Sequence, residues 1–187
     1  MQRIIPICSL LLLFAAGVPD TARAGLYFGP ELTSSTVARG EGAFGEDFDD
    51  LAAGARFIVG HNANAWLDLE GSVGWLGEFR SPDLDVRYAS AMAAARLRLA
   101  LGSHARLYGR IGAGIMHINA THDQNDTKPA GLLGIGTELD ISRQVAVRLG
   151  MDTHSFSTHI SDDPDNASRT SQRLDTVYIG LTIRPRY

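Results

Sequence analysis

The sequence predicts an all-β fold, an eight-stranded antiparallel up-and-down transmembrane β-barrel, from three observations. Apolar and polar residues alternate in segment after segment from residue 25 onward. The connections between those segments are alternately long and short. One parity set, running from Leu26 and Leu32 to Ile179 and Ile183, is apolar and uncharged along the middle of the segments, while the other gathers acids, arginines, tyrosines and glycines.

Residues 1–24 stand outside that pattern. MQRIIPICSLLLLFAAGVPDTARA has a basic start at Arg3, an apolar run from Ile4 to Val18, and Ala22-Arg23-Ala24 at its end. That order is the pattern of a secretory signal, with cleavage expected between Ala24 and Gly25. The run is short for a membrane anchor. Cys8, the only cysteine, lies inside it without the small-residue context of a lipoprotein box. The exported chain, one domain over 25–187, is therefore expected to have no disulfide and to draw its stability from its fold or its solvent.

The segments then follow in order. The first, 25–34, sets Leu26, Phe28, Pro30 and Leu32 against Tyr27 and Glu31. A long connection, 35–48, leads to the second, 49–59, where Leu51, Ala53, Ala55, Phe57 and Val59 oppose Gly54 and Arg56. GHNAN (60–64) is a tight turn into the third, 65–77, with Leu67, Leu69, Val73 and Trp75 opposite Asp68, Glu70 and Ser72; Trp66 falls on the polar parity. Residues 78–85 connect to the fourth, 86–101, where an Ala91-to-Leu101 apolar set faces away from Arg96 and Arg98. GSHA turns the chain into the fifth, 105–119: Leu107, Ile111, Ala113 and Ile115 against Arg110, Gly112 and Gly114. After 120–128, the sixth (129–141) sets Leu133, Ile135, Leu139 and Ile141 against Gly134, Gly136, Glu138 and Asp140. SRQ (142–144) turns into the seventh, 145–156, with Val145, Val147, Leu149 and Met151 opposite Arg148, Gly150 and Asp152. The connection 157–172 leads to the eighth, 173–187, with Val177, Ile179, Leu181 and Ile183 opposite Tyr178 and Gly180. Long loops on one rim and tight turns on the other are the pattern of an outer-membrane barrel, with both termini on the periplasmic side.

Alternation alone does not say which face is inside. A soluble lipocalin-like carrier would turn the apolar set inward; a membrane barrel turns it outward. The outward choice follows from the polar set. Glu31, Asp68, Glu70, Glu138, Asp140 and Asp152 nearly balance Arg56, Arg96, Arg98, Arg110 and Arg148, and no lysine is among them. Lys128 is the only lysine of the chain. Arginine suits buried ion pairs because its planar fork holds several partners, although codon usage in a GC-rich genome would also favour it. The polar-set glycines leave room for arginine and tyrosine in a narrow lumen. Asp68 and Glu70 then face inward to meet arginines, since an unpaired buried carboxylate is very costly. A charge at mid-depth on the lipid face would cost about 2–4 kcal/mol. Arg87 and His117 fall on the outward parity near the long-loop ends, where they are expected to stand above the hydrocarbon.

Composition excludes other classes. Loss of Arg3, Arg23 and Asp20 with the signal takes the formal net charge from −4 to −5, and no basic patch suggests nucleic acid. No apolar run after residue 24 is long enough for a membrane helix, so a membrane location requires a closed barrel.

The ending VYIGLTIRPRY (177–187), with GLYFGPEL (25–32) and LYGRIGAGI (107–115), resembles the small bacterial outer-membrane barrels of the outer-membrane-protein-A and porin type. The resemblance covers the whole exported chain at the level of fold. It implies a Gram-negative outer-membrane location, recognition of the last strand by the barrel-assembly machinery, contact with outer-membrane lipid and lipopolysaccharide, and a monomer. Tyr187 would be the terminal aromatic of that strand, with Pro185 as a departure because proline cannot donate a ladder hydrogen bond. The chain as read stops at the barrel, so no peptidoglycan-binding domain is expected.

An eight-stranded barrel has a lumen that side chains fill, so the expected function is non-enzymatic: an envelope-structural or surface-interaction role for a barrel plugged by ion pairs. No catalytic, cofactor or metal residues are assigned. The acidic stretches GEGAFGEDFDD (40–50) and SDDPDN (161–166) are read as solvated surface loops rather than as divalent-cation sites, since neither has a calcium-binding spacing. One stretch, MDTHSFSTHIS (151–161), raises an alternative. It holds His154, Ser155, Ser157, His159 and Ser161, and His159-Ile160-Ser161 is similar to the His-x-Ser element of outer-membrane lipid A deacylases. Those enzymes use a downstream glutamate; here only Asp175 could substitute.

Overall fold

A computed structural model describes residues 25–38, 51–80, 85–120, 124–158 and 170–185. Eight strands follow in chain order: β1 (Leu26–Ala38), β2 (Ala52–Asn62), β3 (Leu67–Arg80), β4 (Asp85–Ala100), β5 (Ala105–Ala120), β6 (Gln124–Asp140), β7 (Val145–Thr158) and β8 (Thr170–Ile183). Each pairs antiparallel with the next, and β8 pairs antiparallel with β1, so the sheet closes into a barrel. Closure leaves no free sheet edge, the condition for placing strands in lipid. Among the described residues no helix is long and apolar enough to cross a membrane.

The strands reach farther toward the long-connection rim than local composition suggests. Residues 124–128, expected in a connection, are strand: Asn125, Asp126, Thr127 and Lys128 pair with Asn119, Ile118, His117 and Met116. Turn-forming residues are held extended there because a neighbouring strand supplies their hydrogen bonds, the usual override of strand propensity by context. The other end runs short of expectation. β8 stops at Ile183 rather than continuing to 187; Arg184 N donates to Gln144 O at 2.7 Å, and Pro185 follows with no N–H to continue a ladder.

Two glycines hold positive φ for identifiable reasons. Gly102 (φ 104°) lies in the tight turn closed by Leu101 N to Ala105 O at 2.8 Å. Gly77 (φ 130°) lies in a β-bulge, where the β3–β4 register slips between Trp75 and Gly77. The extra residue reverses the parity of β3 above it. Below the bulge the even positions Asp68, Glu70 and Ser72 face inward and Trp75 faces out; above it Phe79 is buried and Arg80 exposed.

The face assignment follows the sequence expectation. Leu32, Ile111, Leu133, Val177 and Ile179, all on the apolar parity, are 50–67% exposed, while their polar-parity neighbours Glu31, Arg110, Glu138, Arg148 and Tyr178 are buried. This rules out the lipocalin-like arrangement, in which the apolar set would fill the interior. Trp66 does not face inward as its parity suggested. It lies in the turn before β3, exposed, outside the alternation.

Candidate functional site

The interior has two zones, and the first is built of ion pairs. Inward strand positions contribute long polar groups here, and inward glycines on adjacent strands give them room. The Tyr108 hydroxyl lies over Gly136, the Tyr178 hydroxyl over Gly150, and the Tyr27 ring over Gly60. A Cβ at any of these three would run into the tyrosine. Gly134 does the same for Asp152 and Arg110, and Gly180 for Glu31.

At the centre, Glu70 accepts from Arg110 at 2.7 Å, Arg148 at 2.9 Å and the Tyr27 hydroxyl at 3.0 Å. Asp152 accepts from Arg56 at 2.8 Å and from two nitrogens of Arg110. Arg56 Nε donates to Glu31 at 2.6 Å. Toward the short-turn end, Arg96 joins Asp68 (2.8 Å) to Glu138 (3.1 Å). Arg106 and Arg184 both reach Glu138 and Asp140. Arg98 closes on Asp68 at 3.0 Å. Guanidinium planes also stack on the tyrosines: Arg96 lies 4.8 Å from the Tyr108 ring centroid and 5.1 Å from that of Tyr27, while Arg56 and Arg110 each lie 4.9 Å from that of Tyr178.

Seven arginines therefore meet six carboxylates in this zone. Most of the arginines serve two acids at once, which a lysine point charge would not do with the same planar geometry. Two of them, Arg106 and Arg184, were missed in the sequence. Both lie at strand ends next to turns, where parity was not carried through, although each is an even step from an assigned inward residue, Arg110 and Tyr178.

The second zone fills the interior at the long-connection rim. Leu76, Phe79, Val86, Tyr88, Met92, Met116, Ile118, Leu132, Phe156 and Leu174 form one buried apolar cluster. Phe79 meets Tyr88 edge-on at 5.7 Å, and Tyr88 meets Phe156 at 5.9 Å. Near this cluster His154 is fully buried, with no partner for either ring nitrogen. This cap was not expected. Its signal was present: the inward parity turns from charged to mostly apolar in the upper third of β4 and β5.

The enzyme-like stretch does not assemble in the described residues. His154 faces the interior, while Ser155 is exposed on the opposite face of β7. Asp175 is on the outer face as well, held by Thr153 Oγ1 at 2.6 Å and by Arg173 Nε at 2.9 Å. Sheet alternation thus separates His154 from both. His159 and Ser161 lie outside the described residues, as do the acidic stretches 40–50 and 161–166 and the terminal Tyr187. Among the described residues no group of His, Cys, Asp and Glu could hold a metal ion.

Residues 7–182 match the family described as outer membrane protein beta-barrel domain. The chain belongs to that family. It is an integral outer-membrane β-barrel, and its exposed apolar face is the lipid-facing one. Solved structures with a similar fold include Neisserial surface protein A (11% identity, 86% of this chain and 97% of that one, TM-score 0.68). Ail, the attachment invasion locus protein of Yersinia pestis, is similar at 18% identity over 85% of this chain and 97% of its own, with a TM-score of 0.54. The N-terminal barrel domain of Pseudomonas aeruginosa OprF is similar at 12% identity over 84% and 97%, with a TM-score of 0.51. At such identities the likeness is one of fold. None of the curated proteins compared with the chain matches it.

The membrane places a scale on the outer face. Trp66, in the turn before β3, and Trp75, within β3 and five residues before its end, are both exposed. Nine residues at about 2.6 Å each along the normal, allowing for strand tilt, span about 23 Å, close to the ~25 Å apolar band such barrels show between aromatic girdles.

Proposed function

We propose that this protein is a non-enzymatic envelope component, a monomeric barrel sealed by its own side chains that supports surface loops for structural or interaction roles. The observation that carries this reading is the interior itself. The arginine–carboxylate network occupies the centre and the apolar cap occupies the upper end. A bulk channel needs more strands than eight. The chain would reach the periplasm by cleavage of residues 1–24, be assembled by the barrel-assembly machinery, and contact lipopolysaccharide in the outer leaflet.

Two measurements test it. Envelope fractionation, with boiled and unboiled samples compared on a detergent gel, should find an outer-membrane protein with a heat-dependent mobility shift. Lipid A from a deletion strain should have an unaltered mass spectrum. A change in acylation that the wild-type gene restores would make the protein an enzyme and end this reading.

A further inference from the structure

The bulge at Gly77 has an effect beyond the backbone. By the parity of lower β3, Arg80 would point into the barrel. The extra residue turns it outward together with Glu78, beside Arg87 of β4. There Glu78 holds two guanidinium groups. Its Oε1 takes Arg80 Nε at 3.1 Å and its Oε2 takes Arg87 Nε at 2.7 Å. The acid is thus held between them, its side chain 15% exposed, while the arginine side chains are 68% and 59% exposed. Asp85 stands opposite Arg80 in the register and borders the trio on its loop side. Glu78 takes Arg80 through Nε and Nη2 and Arg87 through Nε, the Asp85 charge also acts on Arg87, and both arginine side chains remain more than half exposed.

The height of this doublet matters. Ala89 pairs with Trp75, and Arg87 lies two residues farther up β4 on the same face. At 3.4 Å per residue and the usual tilt, that is about 5 Å above the tryptophan. The polar layer of a bilayer is about 5–7 Å thick on each side of its hydrocarbon. Arg87 therefore stands at the level of lipid headgroups, on an outer face with no charge in the band below it.

We propose that Arg80 and Arg87 are a binding site for the phosphate groups of outer-leaflet glycolipid, the lipid A of lipopolysaccharide. The inference rests on the reading that the long-connection rim faces outward from the cell. A guanidinium fork matches phosphate oxygens in pairs, and charge-assisted bonds of this kind are about twice as strong as neutral ones. Glu78 positions the two forks side by side. Arg173, an exposed outer-face arginine of β8, differs: it stands alone, closed onto Asp175 and Thr153.

The test uses the refolded full barrel in detergent and native mass spectrometry. The probes are bisphosphorylated lipid A, the same lipid A without phosphates, and phosphatidylglycerol. Loss of one charge-assisted contact corresponds to a loss of about tenfold or more in affinity. R80A/R87A should bind bisphosphorylated lipid A at least tenfold more weakly than wild type, and R173A should match wild type. Wild type should prefer bisphosphorylated lipid A to both other lipids. Unchanged lipid A binding in R80A/R87A overturns the site; equal affinity for phosphatidylglycerol overturns the glycolipid assignment. Should the double variant lose its heat-dependent gel shift, R87A alone carries the comparison. A wild-type protein that fractionates away from the outer membrane would instead refute the envelope reading beneath the proposal.

Discussion

Glu70 of β3 and Arg148 of β7 are 78 residues apart in sequence and meet at 2.9 Å at the centre of the barrel, both fully buried. Glu70 also accepts from Arg110 and Tyr27, so its removal strands more than one donor. Breaking a buried pair by deleting one partner costs about 3–5 kcal/mol, because a buried charge loses its counter-charge. Glu70→Gln should destabilise the barrel by about that amount in urea titrations of the vesicle-refolded protein. Glu70→Gln combined with Arg148→Gln should lose less than the sum of the single changes. Additivity would show that the two residues are not coupled.

The interior glycines separate two kinds of position. A Cβ on Gly150 would strike the Tyr178 hydroxyl and ring, whereas one on the outward Gly109 would meet nothing nearer than 3.9 Å. Gly150→Ala should cost about 1–3 kcal/mol through overpacking. Gly109→Ala should be near neutral. Midpoints from the same urea titration read both, and equal values would refute the tyrosine-over-glycine packing.

Lipid exposure of the apolar face gives a third expectation. Leu149→Arg puts a charge on the outward face of β7, at a cost of about 2–4 kcal/mol near mid-depth. The variant should show reduced folding into vesicles and a weakened heat-dependent gel shift. Leu107→Ser, in the lower third of β5, should be milder. A fully folded Leu149→Arg protein at wild-type yield would mean that Leu149 does not meet hydrocarbon.

The apolar cap predicts a closed rim. Phe156→Ala removes a ring that packs on Tyr88, a truncation that costs about 3–5 kcal/mol. Planar-bilayer recordings of this variant should still show no steady conductance, since the ion pairs below it remain. Discrete openings in Phe156→Ala alone would identify the cap, rather than the ionic zone, as the seal.

Much of this architecture was legible because β-sheet alternation is strict. A period of two, read through Leu26 to Leu32 or Val177 to Ile183, places side chains without any knowledge of neighbours. Charge then chose the inner face. Three things were harder to read. The upper ends of strands such as 124–128 depend on partners far away in sequence. The bulge at Gly77 shows only as a glycine among several. The pairings themselves, Arg96 with Glu138 or Arg110 with Asp152, follow from register between strands, which one chain's alternation leaves open. The histidine–serine stretch is the reverse case: residues close in sequence, such as His154 and Ser155, are held on opposite faces by the same alternation.

The closing seam sets an order of events. The Ser35 and Thr176 hydroxyls meet at 3.0 Å across 141 residues, and the whole β1–β8 ladder joins the two ends of the barrel. Contacts of such separation form late, because the loop they close must be ordered first. Until β8 arrives, β1 has an unpaired edge and the arginine zone lacks Tyr178, the ring against which Arg56 and Arg110 stack. Synthesis from the N-terminus therefore yields seven strands that cannot yet close. Assembly should therefore be all-or-none, and a variant lacking β8 should be degraded rather than accumulate as a smaller barrel.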